Sequence, residues 1–222
     1  MKLVLFDLDN TLLKGDSDYA WGQFLVDQGI VERHTYEARN QEFYRQYEAG
    51  TLDIDAFLAF QLAPLANRDP ELLRKWHDHF MRERISPMIT DAARALVERA
   101  RAEADLVAII TATNSFVTRP IAQKFGVEHL IATEPEQHAG RFTGKVSGTP
   151  SFREGKISRL NHWLNDLGHQ LDDFDESWFY SDSRNDLPLL GRVTHPVAVN
   201  ADPVLKAHAS AHGWPLLDLH GD

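Results

Sequence analysis

The sequence contains no cysteine. Disulfide cross-links, thiolate metal sites and a cysteine nucleophile are therefore excluded from anything this chain does. Positive charge is also in short supply, with 23 Lys and Arg against 33 Asp and Glu and a formal charge of -10. That balance disfavours nucleic acid or an anionic membrane as the main partner, because both need clustered cations. A protein of this charge that handles anionic substrates needs a local cation, such as a metal ion. No apolar run approaches the ~20 residues that span a bilayer. The N-terminal run is short and broken by Asp7 and Asp9, so it does not resemble a secretory signal. The expectation is a soluble, cytoplasmic protein without repeats or low-complexity tracts.

What is present begins at the N-terminus. Leu3 to Phe6 is an unbroken apolar run, long enough for a strand buried on both faces, and Asp7 and Asp9 follow it. Two carboxylates at the mouth of a buried strand are unfavourable unless they meet a cation or a hydrogen-bonded partner. From Asp16 to about Arg84 the pattern is helical. Trp21, Phe24 and Leu25 mark one face, Tyr36, Asn40, Phe43, Tyr44 and Tyr47 a second helix closed by Gly50. Ile54, Phe57, Leu58, Leu62 and Leu65 mark a third helix with Gln61 inside its stripe, and Leu72, Leu73, Trp76 and Phe80 a fourth. Together these read as a small bundle, with the aromatic residues as its interior.

Beyond Ser86-Pro87 strands and helices alternate. Buried strands are expected at Leu106–Ile110, ended by Thr111, at Trp178–Ser181, ended by Asp182, and at Pro196–Val199. Helices are expected at Phe116–Phe125 and Gly155–Leu167, the latter with Ile157, Leu160, Leu164 and Leu167 on one face. A hairpin is expected where Gly140, Gly144 and Gly148 surround Phe142 and Val146. Alternation of this kind predicts an α/β fold, a doubly wound, mainly parallel sheet, with a helical cap inserted after the first strand. The boundaries read as 1–15 and 85–222 for the α/β core and 16–84 for the cap.

In a parallel sheet Asp7, Thr111 and Asp182 would lie along one edge, where open α/β folds bind ligands. Lys156 adds a cation in the first turn of a helix, where the macrodipole disfavours it, as a lysine held for an anionic ligand would. An acidic pair, a Thr and a Lys also describe the phospho-acceptor site of a receiver domain. Such domains are about half this length and lack a helical insertion. His77 and His79, at i and i+2 of a helix, face apart and make no metal pair.

In that order these residues resemble the signature set of the haloacid dehalogenase superfamily. Asp7-Leu8-Asp9-Asn10-Thr11-Leu12 is similar to its first motif, Ile109-Ile110-Thr111 to its second, and Lys156 in Gly155-Lys156-Ile157 to its third. Ser181-Asp182-Ser183-Arg184-Asn185-Asp186 is similar to the fourth. A helical insertion directly after the first motif resembles the phosphoserine-phosphatase-like branch, subfamily IB. The resemblance implies a phosphomonoesterase in which Asp7 attacks phosphorus to form an aspartyl-phosphate. It further implies that Asp9 acts as general acid and then base, and that Asp7, the Asp9 carbonyl, Asp182 and Asp186 form a Mg²⁺ site. Thr111 and Lys156 would hold the phosphoryl group, with Asn185 a further polar contact. A phosphotransferase or mutase using the same intermediate, and a non-catalytic phosphate-binding protein, are the alternatives.

The lid of such a fold suits a small, soluble phosphomonoester. In phosphoserine phosphatases an acidic residue soon after the first motif meets the substrate amine, and a cap arginine binds its carboxylate. Here Asp16 stands in the acidic place and Gln61 in the arginine place. A neutral amide is a poor substitute for bidentate carboxylate binding. The pair points to a substrate with an amine and no carboxylate, as in histidinol phosphate, with Arg45 as another source of a cap cation.

Overall fold

Leu3 and Leu5 point to one face of the first strand and Val4 and Phe6 to the other, and all four are at most 2% exposed. Burial on both faces is what an uninterrupted apolar strand requires, and it places this strand at the centre of the molecule. The computed structural model describes residues 1–221.

The strand, β1 (Lys2–Phe6), is followed by four helices, α1 (Ser17–Asp27), α2 (Arg33–Ala49), α3 (Ile54–Leu62) and α4 (Pro70–Phe80). The last runs into a short π-helical turn, Met81–Ile85. Then come α5 (Asp91–Glu103), β2 (Leu106–Asn114), α6 (Ser115–Lys124), and the strands β3 (His129–His138) and β4 (Arg141–Ser147). Helix α7 (Glu154–Asp166), β5 (Glu176–Ser181), the short α8 (Leu187–Leu190), β6 (His195–Val199), α9 (Pro203–His212) and β7 (Leu216–Leu217) complete the described chain. One seven-stranded sheet runs β4-β3-β2-β1-β5-β6-β7. Every pair is parallel except the β3–β4 hairpin. The chain leaves β1 towards β2 and later returns to β5 on its other side, so the order reverses at β1. Ligands of open α/β sheets bind at such a switch.

Helices cover both faces. Leu3, Leu5, Ala108 and Ile110 pack under α7, α8 and α9 through Leu160, Leu164, Leu189 and Leu205. Val4, Phe6 and Ile109 pack under α5 and α6, and the same apolar cluster continues into the helical insert through Trp21, Phe24, Leu73 and Phe80. The insert and this sheet face thus share one interior. Each insert helix carries its own start signal: Asp16, Glu32, Asp53 and Asp69 all accept first-turn N–H groups. Gly50, with φ 70, closes α2 in the left-handed conformation.

Three sequence expectations change in detail. β2 does not end at Thr111 but runs to Asn114, with its register against β3 broken between Ile110 and Asn114. The Thr133 hydroxyl takes the Ala112 carbonyl and keeps this extension paired. Leu72 and Leu167 are exposed rather than part of apolar faces. The buried stripe of α4 is Leu73, His77 and Phe80, and Leu167 lies past the last packed turn of α7. The aromatic residues of the insert divide: Trp21, Phe24 and Phe43 are buried core, Phe43 also lining a pocket, whereas Tyr44 and Tyr47 are half-buried in the pocket wall.

Candidate active site

Asp7, directly after β1, lies at the C-terminal edge of the sheet and is 6% exposed. Its backbone N–H still bonds the Tyr180 carbonyl of β5 at 2.9 Å, so the strand holds the residue to the last atom. One carboxylate oxygen accepts from Lys156 Nζ at 2.8 Å. The other faces the Thr11 hydroxyl at 3.1 Å, which stands at the same distance from Asp182 Oδ1. The Asp182 N–H in turn donates to Thr11 Oγ1 at 3.0 Å. Thr11 therefore ties the β1 loop to the β5 loop.

Lys156 is fully enclosed and also donates to Asp186 Oδ2 at 2.7 Å. Ser181 Oγ reaches the same oxygen at 2.7 Å. The position of Lys156 depends on Gly155: a Cβ there would stand 2.1 Å from the Pro150 carbonyl oxygen. Only glycine lets α7 start so close to the preceding loop. Burial works against the Lys156 ammonium, but Asp186 and Asp7 outweigh it and hold the lysine protonated above its ordinary range.

Asp9 faces the insert. Its Oδ1 accepts from the Ser17 N–H at 2.7 Å and its Oδ2 from the Thr113 hydroxyl at 2.8 Å. Thr111 Oγ1 is farther, at 3.5 Å from Oδ2, and is itself fixed by the Thr113 N–H at 3.2 Å. Thr113 thus anchors Asp9, a contact the sequence reading missed. The signal was the alternation Thr-Ala-Thr, which puts residues 111 and 113 on one face of a strand.

Burial raises the pKa values of this cluster. Asp7 is pushed up to about 7, first by loss of water and then by Asp186, against the pull of Lys156. Asp9 rises through burial against its hydrogen bonds, and Asp182 rises well above its usual range through burial and then Asp7. Asp7 and Asp186 share the Lys156 ammonium, and Asp182 joins them through Thr11 with no ion pair of its own among the described residues. Their ionised forms leave two negative charges uncompensated in a site shut off from water. An oxygen-ligated divalent cation fits this donor set and charge. Among the described residues no three acidic or imidazole side chains stand grouped as a metal cage. Asp7 and Asp182, bridged by the Thr11 hydroxyl, make a smaller set, suited to an ion that keeps several waters.

A pocket joins this cluster to the insert. Asp7, Asp9, Thr111, Lys156, Asn185 and Asp186 form its floor, and Asp16, Asp18, Asn40 and Gln61 stand above them. Phe43, Tyr44, Tyr47 and Phe57 form apolar walls. Asp16 caps α1, accepting the Tyr19 N–H at 2.8 Å, and burial followed by the Asp9 charge raises it to about 7. Gln61 is buried, with its amide 3.4 Å from both the Tyr36 hydroxyl and the Asp18 carbonyl. Asn185 Oδ1 accepts from Arg153 Nε at 3.2 Å. Arg45 is not brought into the pocket. It lies on the outside of α2, paired with Glu42 at 2.7 Å. His77 is buried against the Val117 carbonyl at 2.9 Å, and His79 pairs with Glu83. Neither reaches the pocket.

Comparison with known proteins agrees with this geometry. The family model for haloacid dehalogenase-like hydrolases matches residues 4–191. A histidinol-phosphatase of Neisseria meningitidis is 48% identical over 98% of both chains. A phosphoserine phosphatase of Mycobacterium tuberculosis is 28% identical over 97% of this chain and 70% of its own. Among solved structures, a Bordetella pertussis protein of unknown function is 50% identical, with a TM-score of 0.93 over 98% of each chain. A phospho-aspartyl intermediate analogue of phosphoserine phosphatase shares the fold at TM-score 0.70 and 20% identity, over 100% of this chain and 94% of that one. With its sequence matched from β1 to the loop after α8 and its acids gathered at the β1 switch, the chain belongs to the haloacid dehalogenase-like hydrolases and is a phosphatase of that family.

Proposed function

We propose that this phosphatase hydrolyses a small amine-bearing phosphomonoester, histidinol phosphate, and that residues 16–84 act as a cap over a core of residues 1–15 and 85–222. One observation carries the substrate reading. The pocket holds five acidic side chains and one basic one, Lys156, whose ammonium is already bonded to Asp7 and Asp186. A substrate ammonium is welcome there, and among the described residues no guanidinium lines the pocket for a carboxylate such as that of phosphoserine. The histidinol-phosphatase of Neisseria meningitidis, similar over nearly its whole length, supports the same reading.

In the proposed mechanism Asp7 attacks phosphorus while Asp9 protonates the departing alkoxide. The aspartyl-phosphate is then opened by a water whose proton Asp9 takes back. Thr113 and the Ser17 N–H fix the Asp9 carboxyl for both transfers. Lys156 keeps Asp7 oriented and compensates charge on the phosphoryl oxygens. Thr111 and Asn185 supply polar contacts at the pocket floor. Asp7, the Asp9 carbonyl and Asp182 would hold Mg²⁺, with Asp186 in support. The ion, when bound, offsets the repulsion between carboxylate and phosphate. Closure by the insert keeps bulk water from the intermediate until the alcohol has left.

Steady-state kinetics on histidinol phosphate, phosphoserine and p-nitrophenyl phosphate test this reading. The expected result is the highest kcat/KM for histidinol phosphate, with turnover lost in Asp7→Asn. A preference for phosphoserine would overturn the substrate assignment, and full activity in Asp7→Asn the mechanism.

A further inference from the structure

Asp18 is the one carboxylate of the pocket with no hydrogen bond to either oxygen among the described residues. Asp7, Asp9, Asp16 and Asp186 each have at least one partner. Asp18 is 3% exposed, and its Oδ1 is shut off from solvent with nothing to accept from. An enclosed, unpaired carboxylate is unfavourable in the free protein. Helix capping does not explain it, because Asp16 already takes that role for α1 and Asp18 follows two residues later. The charges nearest Asp18 are those of Asp16 and then Asp9, with no cation among them.

The acids of the pocket lead from the β1 loop into the insert: Asp9 accepts the Ser17 N–H at the start of α1, Asp16 caps that helix, and Asp18 lies in its first turn. At the far end Asp18 adjoins the Tyr36–Gln61 pair, and Phe43 and Phe57 of the apolar wall meet edge to face. Histidinol phosphate is laid out in the same order: phosphate, a methylene, the carbon bearing the ammonium, a second methylene and a flat ring with an N–H.

We propose that Asp18 receives the imidazole N–H of the substrate while Asp16 receives its ammonium, making Asp18 the residue that selects the ring. This assignment rests on the substrate reading above. The aromatic wall gives the ring an apolar face, and the free oxygen of Asp18 gives it an acceptor. An acceptor placed for one donor discriminates against ligands without it, since it is then left unpaired. O-Phosphoethanolamine, which has the ammonium and lacks the ring, is the ligand against which the selection operates.

The experiment compares wild type, Asp18→Asn and Asp16→Asn on histidinol phosphate, O-phosphoethanolamine and p-nitrophenyl phosphate. Asp18→Asn should lower the kcat/KM ratio of histidinol phosphate to O-phosphoethanolamine by about tenfold or more, chiefly through KM. Asp16→Asn should weaken both amine substrates and leave that ratio within about twofold of wild type. The Tm of ligand-free Asp18→Asn should not fall, because no hydrogen bond of the folded protein is lost with the carboxyl group; a merely structural carboxyl would give a lower Tm. A second measurement needs no variant: histidinol should inhibit wild-type turnover of p-nitrophenyl phosphate at concentrations at least tenfold below ethanolamine, a factor of the same origin as above, about one lost ring contact. An unchanged ratio in Asp18→Asn, or equal inhibition by the two alcohols, overturns the assignment of Asp18 alone. Absence of any wild-type preference for histidinol phosphate overturns the substrate reading and this assignment with it.

Discussion

Arg153 donates from its guanidinium to the backbone carbonyl of Gly50, a residue 103 positions earlier in the chain. The same side chain bonds Asn185 at the pocket floor, and Arg184 reaches the neighbouring Glu48 carbonyl at 2.7 Å. Two cations thus meet the C-terminal end of α2, where free carbonyls and the helix dipole favour positive charge. Arg153 and Arg184 stand three and two positions before Lys156 and Asp186 in sequence, so the position of the insert is tied to the residues proposed to meet the phosphate.

Arg153→Ala should therefore loosen closure. We expect KM for the phosphomonoester to rise several-fold, about 3- to 10-fold for one charge-assisted bond, with a smaller fall in kcat. Steady-state kinetics checks this, and Arg153→Lys should restore only part of the loss, because a lysine cannot bridge Gly50 and Asn185 together. Gly50→Ala should act similarly, since a Cβ would stand 2.9 Å from the Arg184 guanidinium.

Asp7, Asp182 and Asp186 outnumber the one ammonium of Lys156, so the protein should respond to divalent cations. Chelation should abolish turnover, and added Mg²⁺ should restore it. Independently of activity, Mg²⁺ should raise Tm by a few degrees, as binding at 100-fold over Kd adds about 2.7 kcal/mol. Differential scanning fluorimetry with and without Mg²⁺ reads this directly. The shift should vanish in Asp182→Asn.

Thr113 holds Asp9 through one hydroxyl. Replacing it by Val keeps the shape of the side chain and removes the bond. The kcat should fall roughly 5-fold, the scale of losing one orienting hydrogen bond of about 1 kcal/mol at a proton-transfer group. Thr113→Ser should retain most activity. Pre-steady-state release of the alcohol would show whether the first transfer slows.

Asp16 gives a pH test of stability. Its folded pKa of about 7 lies above the ordinary 3.8, so the folded state binds this proton more tightly than the unfolded one. Below about pH 4 the carboxyl is protonated in both states and makes no difference. As pH rises from there to 7 the unfolded state ionises first, and the folded state loses relative stability, levelling off above 7. Asn caps a helix as well as Asp does. The unfolding free energy of metal-free Asp16→Asn minus that of wild type should therefore grow between about pH 4 and 7 and then stay flat, reaching on the order of 2 kcal/mol with partial access to water, which denaturant titration at each pH measures.

Much of the fold could be read from local chemistry. Periodicity and capping residues located the helices of the insert, because helix starts and stops are set by neighbours within four residues. The apolar run Leu3–Phe6 announced a strand buried on both faces, and Asp7, Thr111, Lys156, Asp182 and Asp186 were nameable from their places at strand and helix ends. The ends of β2 were less visible, since its extension to Asn114 depends on Thr133, a partner 19 residues away in another strand.

The sequence by itself determined which acids follow which strands, that one lysine starts α7, and, through the family resemblance only, the expectation that Gln61 takes the place of a cap arginine. Only the tertiary structure decided the company those residues keep. It put Arg45 outside and paired it with Glu42, although helical spacing alone left its direction open. It turned Tyr47 from bundle interior into pocket wall, because the insert shares its interior with the sheet instead of closing on itself. It also left Asp18 buried without a partner. In the sequence that residue is one more acid at a helix start, where the dipole alone would favour it. Burial and pairing are properties of contacts between distant segments, and no local pattern of residues encodes them.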